Sequence, residues 1–172
     1  MLSMLGAVFI LLATVGGFGQ LRCALRQRPR ELLDWLAVVR LLQSEMNYGL
    51  LTLPRLCALA AAQNNGVVGR FWQTLAQELE TQTAQALPEI WQRFLVEQKG
   101  GWHLLAADLQ VLMELGQGLG ASGLNNQQRL LGLTERRLQN LADEAAAQCA
   151  RLTRLLGGLG WCSGLLLICL WL

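Results

Sequence analysis

Few residues in this chain are equipped for chemistry. The 172 residues include one histidine, His103, beside Trp102. A histidine serves as metal ligand or nucleophile's base only with a second group at ligand or triad spacing, and His103 has none nearby in sequence. Its expected role is structural or at the surface. Glu78 with Glu80 and Asp143 with Glu144 are the close carboxylates. Such pairs do acid–base work when they converge on one substrate atom. Here each pair falls in a helical stretch, where neighbours one or two apart do not face each other, so solvated helix faces are expected. Five cysteines, at 23, 57, 149, 162 and 169, form no CxxC pair. The odd count argues against a disulfide framework and a zinc site, and reads as reduced, apolar-like thiols. The run Gly116-Gln117-Gly118-Leu119-Gly120-Ala121 lacks the Gly-Lys-Ser/Thr ending of a P-loop, and it follows a helical pattern rather than a strand. A helix–helix turn is its expected use. The net charge of +2, with no basic stripe interleaved with aromatics, is too little to argue for nucleic acid, and no nucleic-acid partner is expected. The residues predict a non-enzyme with no cofactor, no metal and no small-molecule substrate.

The elements that hold these residues divide by charge. All 14 basic and 12 acidic residues fall between Arg22 and Arg154, and 53% of the chain is hydrophobic. Residues 2–21 and 155–172 carry no charge. As helices they reach roughly 30 Å and 27 Å, near the hydrocarbon thickness of a bilayer. The spacing predicts a transmembrane helix over 1–21, a helical domain over 22–154 and a second transmembrane helix over 155–172. A cleaved signal peptide would carry its basic residues before the apolar run; here Arg22, Arg26, Arg28 and Arg30 follow it. Arg151 and Arg154 precede the second run. Basic flanks stay on the cytoplasmic side, so both predict a hairpin with a cytosolic central domain. Ala13 with Gly17, and Gly160 with Gly164, are small pairs at helical spacing, suited to close helix packing in lipid.

The central domain reads as all-α. Pro29 opens a helix bearing Leu32, Trp35, Val39, Leu42 and Met46 on one face, closed by Gly49. Thr52 and Pro54 start a second helix that stops at Asn64-Asn65-Gly66. A third carries Phe71, Leu75 and Leu79. A fourth begins at Pro88-Glu89 and carries Ile90, Trp91, Phe94 and Leu95, up to the stop Lys99-Gly100-Gly101. A fifth runs from Trp102 through Leu105, Leu109, Leu112 and Met113 to Gly116. Ser122 can cap the last, which carries Leu131, Thr134, Leu138, Leu141, Ala145 and Leu152 and has no breaker before the apolar end. No window alternates as a strand would. The expectation is an antiparallel helical bundle of about six helices flanked by the two transmembrane helices.

The chain resembles the stage III sporulation protein AB family of endospore-forming bacteria over essentially its whole length. Four features carry the resemblance: the apolar start with the Arg28-Pro29-Arg30 collar; the block Leu41-Leu42-Gln43-Ser44-Glu45-Met46-Asn47-Tyr48-Gly49 followed by Thr52-Leu53-Pro54; Asp108 with Leu112-Met113-Glu114-Leu115-Gly116, leading to Leu119-Gly120 and Ser122; and the long helix running into an apolar end. The resemblance implies a bundle similar to the cytoplasmic domain of type II secretion F proteins. It also implies membership of a channel-like sporulation assembly joining mother cell and forespore, in the mother-cell-derived membrane around the forespore. The implied partners are a cytosolic secretion-type ATPase and the other channel proteins of that stage. One departure is clear: after the turn, Gly123-Leu124-Asn125-Asn126-Gln127 keeps the glutamine but lacks the charges the family tends to carry there.

The leading expectation is therefore a membrane platform that docks an ATPase. Its candidate partner contacts are Glu45, Tyr48 and Gly49 at one helix end, and Glu114, Gly116, Gly120 and Ser122 around the glycine turn. A homo-oligomer is compatible with this. The alternative is a pore or transporter subunit whose membrane helices line a path, although neither apolar run holds the ionisable residue that usually marks such a route. A membrane-bound enzyme with an unrecognised site at His103 is a third reading.

Overall fold

The structure, a computed structural model, describes residues 26–46, 52–81, 87–97, 100–119 and 124–171, by backbone alone at 124–125 and from 155 onward. Among the described residues there are six helices and no strand. They are α1 (26–46), α2 (Leu53–Gln63), α3 (Gly66–Thr81), α4 (Leu87–Glu97), α5 (Ala106–Gly118) and α6 (Leu124–Trp171). The chain divides into two compact units, Met1–Gln27 with Glu144–Leu172, and Arg28–Asp143.

In the second unit α1 buries residues on more than one side. Leu32, Trp35, Leu36, Val38, Val39 and Leu42 are all buried, an arc wider than the single stripe expected. A helix apolar over more than one side must have neighbours on more than one side. Trp35 accordingly sits among Phe71, Trp72, Trp91 and Trp102, with ring centroids 5.1, 5.7, 5.9 and 5.9 Å away. These rings come from α1, α3, α4 and the segment before α5. Edge-to-face pairs dominate, the arrangement favoured by aromatic quadrupoles and worth about 0.5–1.5 kcal/mol per pair beyond area burial.

Several boundaries differ from expectation. Residues 26–28 are already helical, so Pro29 lies inside the described part of α1. Thr52 is the N-cap of α2 by backbone, with Pro54 in the first turn, but its hydroxyl makes no capping bond. Asn64 ends α2 and its amide donates to the Ala60 carbonyl at 2.9 Å. Gly66 then opens α3 with φ +80, a left-handed conformation that favours glycine. Gly69 lets α3 lie against the α2 end, because a Cβ there would overlap the Asn64 carbonyl.

α5 begins at Ala106, not Trp102. Asp108 marks the start: its Oδ2 accepts the N–H of Leu105, the N-cap residue, at 2.9 Å, and residues 102–105 form a non-helical strap before it. α5 also runs on to Gly118, so Gly116 and Gly118 are helical, not turn, residues. On α6, Leu131, Thr134, Leu138, Ala142 and Ala145 are buried. Leu141, at the same spacing, is half-buried and Leu152 is 42% exposed. Met46, Leu79 and Met113 are likewise only half-buried.

Among the described residues no helix is long and apolar enough to cross a membrane. Residues 1–21 and the side chains of 155–172 lie outside the described residues, and with them the two expected membrane helices, the Ala13/Gly17 pair and the side-chain surroundings of Gly160 and Gly164. The backbone of α6 is helical without interruption to Trp171, as the absence of a breaker implied.

Candidate functional site

The polar residues of the central unit are used mainly to tie helices together. The most buried tie joins α1 to α5. Arg28 Nε donates to Asp108 Oδ2 at 2.8 Å and Arg28 Nη2 to Asp108 Oδ1 at 2.9 Å. Asp108 is fully buried and the Arg28 side chain 14% exposed. A carboxylate without water around it is stable as an ion only when paired and hydrogen-bonded, and Asp108 has both: the guanidinium fork and the Leu105 N–H.

One turn further along α1, Glu31 grips the strap. Its Oε2 accepts the His103 backbone N–H at 2.9 Å, and its Oε1 lies 2.6 Å from His103 Nδ1. Glu31 is buried, whereas the His103 side chain is 43% exposed. The sole histidine is thus a partner of a buried carboxylate and fixes the residue beside Trp102. No described hydroxyl or thiol hydrogen-bonds the imidazole, so the pair lacks the nucleophile of a triad. Among the described residues no group of three or more His, Cys, Asp or Glu is placed to hold a metal ion.

Asp34, one turn beyond Glu31, has its pKa raised, first by burial and then by the Glu31 charge, with Arg30 acting in the opposite sense. At the outer face Arg40 Nε donates to Glu135 Oε1 at 2.8 Å and joins α1 to α6. That bond is the main cause holding the Glu135 carboxyl below the usual range. Glu78 pairs with Arg93 at 3.4 Å across α3 and α4, while Glu80, Asp143 and Glu144 are exposed. The close carboxylates therefore do not converge. Burial pushes the Cys57 thiol up to about 12, which suits an apolar-like role.

The expected partner contacts separate into three groups. Glu45 is half-buried on α1 and Glu114 is exposed on α5, where it pairs with Arg137 of α6. Tyr48, Gly49, Gly120 and Ser122 lie outside the described residues. Gly116 is buried: a Cβ there would overlap the Trp91 indole, whose Nε1–H donates to the Leu112 carbonyl at 2.9 Å. It is a notch for a tryptophan rather than an accessible surface, so a partner reaches it only by displacing Trp91.

Arg28, Glu31 and Asp108 carry the main polar junction, and sequence spacing missed it. Their partners lie 72 and 80 positions away. The available signal was a lone aspartate, Asp108, between Ala106-Ala107 and Leu109 in an otherwise apolar stretch.

Fold and site together define a helical bundle protein whose buried carboxylates Glu31 and Asp108 are paired with residues distant in sequence. The stage III sporulation protein AB (spore_III_AB) family profile matches residues 3–172. The chain belongs to that family. It is 27% identical over 170 residues to "Stage III sporulation protein AB" of Bacillus subtilis (strain 168), covering 99% of each chain. It is also similar in fold to a solved structure of stage III sporulation protein AB (SpoIIIAB), with TM-score 0.67 and 22% identity, covering 72% of this chain and 97% of that one.

Proposed function

We propose that this protein is a non-catalytic membrane platform of the channel-forming sporulation complex between mother cell and forespore. Segments 1–21 and 155–172 are its two spans, and the central domain faces the cytosol and docks a secretion-type ATPase. The observation that carries this reading is the extent of the family match: it runs from residue 3 to residue 172 and so includes both apolar ends as well as the bundle. The helical backbone of α6 supports it, because it runs on into the second apolar segment. Docking falls to polar groups of the bundle, with half-buried Glu45 and exposed Glu114 the described candidates. Uncharged spans give a pore reading nothing to build on.

The test is co-purification of the full-length protein from membranes with the folded ATPase. Retention of the ATPase is expected. Its loss, with both proteins folded and the platform inserted, contradicts the docking role.

A further inference from the structure

The charges of the chain divide unequally between its two compact units. Arg28–Asp143 holds ten basic residues and eleven acids, and is nearly neutral. Met1–Gln27 with Glu144–Leu172 holds four arginines, Arg22, Arg26, Arg151 and Arg154, against one acid, Glu144. Arg22 lies outside the described residues. The other three are exposed, and none has an ion-pair partner among the described residues. Arg28, by contrast, is committed inward to Asp108.

Position adds to charge. Arg154 is the last charged residue before the run 155–172, and Arg26 follows closely on the run 1–21. Arg151 and Arg154, three apart on α6, share one helix face. Glu144 stands about 10 Å along the helix from Arg151, too far to neutralise it directly. All four basic residues are arginine, whose planar fork matches a pair of phosphate oxygens and is weakly hydrated compared with lysine. Uncompensated guanidinium groups at the edge of an apolar segment stand where phospholipid phosphates lie.

We propose that this unit carries an anionic-phospholipid site, in which Arg26, Arg151 and Arg154 hold lipid phosphates at the border of the apolar segments. The inference rests on the membrane reading above and deepens it: the anchors select the lipids around them as well as holding the protein in place.

The experiment uses the full-length protein reconstituted in phosphatidylcholine bilayers. Quenching of Trp161 and Trp171 by phosphatidylglycerol or phosphatidylcholine with brominated acyl chains gives the relative binding constant of the two lipids. Phosphatidylglycerol is expected to bind roughly fivefold more tightly, the scale of one arginine at an anionic surface. The preference should fall to near unity in the Arg26→Gln/Arg151→Gln/Arg154→Gln variant. It should persist in Arg55→Gln/Arg70→Gln, which removes two exposed arginines of the central unit. Equal binding of the two lipids, or a preference that survives the triple substitution, overturns the proposal. Loss of the preference on adding millimolar inorganic phosphate also overturns it, by assigning the arginines to a free anion. Quenching by neither lipid instead removes the membrane reading itself.

Discussion

Arg28 and Asp108 meet across 80 positions of sequence in a two-pronged ion pair, 2.8 and 2.9 Å long, with the carboxylate fully buried. Removing the guanidinium leaves the buried Asp108 carboxylate without its ion-pair partner. Arg28→Met should therefore lower unfolding stability by about 3–5 kcal/mol, read from urea titration of the full chain. Arg28→Met with Asp108→Leu should recover most of that loss, since replacing both charges leaves neither orphaned. A small loss in the single variant would show that the pair is not the tie described.

Gly116 and Gly132 should respond to alanine in opposite directions. At Gly116 the new methyl meets the Trp91 indole; at Gly132, on α6, it meets open space. Gly116→Ala should cost about 1–3 kcal/mol or more by overpacking. Gly132→Ala should gain about 0.5–1 kcal/mol from helix propensity. Thermal unfolding of the two variants side by side checks both.

Asp34 and Glu135 give opposite pH dependences. Asp34 is raised in the folded state, so its penalty is absent below the ordinary aspartate value of 3.8 and grows as pH rises through its folded value. Asp34→Asn should therefore stabilise the protein at neutral pH and lose that advantage in acid. Glu135 is lowered, so its contribution is complete above 4.5 and fades as pH falls through its folded value. Glu135→Gln should destabilise at neutral pH and match the parent in acid. Melting temperatures across pH decide each sign.

Glu114 has two possible uses, an internal pair with Arg137 and a partner contact. Glu114→Arg with Arg137→Glu restores the pair with reversed polarity. If Glu114 also docks the ATPase, the double variant folds normally and loses ATPase retention. Full retention would confine Glu114 to the bundle.

The sequence made the helices legible and the ties between them much less so. Ile90, Trp91, Phe94 and Leu95 were readable as one face of α4, and all four are buried. A periodic stripe is a local property. The ring of tryptophans around Trp35 is not, because Trp102 arrives from a strap whose position depends on Glu31 and Asp108. Gly116 was misread as a turn for a related reason: local pattern marks glycine as a breaker, while its use here depends on an indole 25 positions earlier. Leu152 shares the spacing of buried Leu131, Leu138 and Ala145, yet it is 42% exposed; heptad spacing alone does not supply a facing neighbour.

The proposed docking of a cytosolic ATPase requires the bundle on the cytosolic side of a membrane. Asn65, exposed in the link between α2 and α3, is the place to ask. In a chain with its native cysteines replaced, Asn65→Cys should resist a membrane-impermeant thiol reagent in intact cells and react after lysis. Modification in intact cells would put the bundle outside and contradict its docking of a cytosolic ATPase.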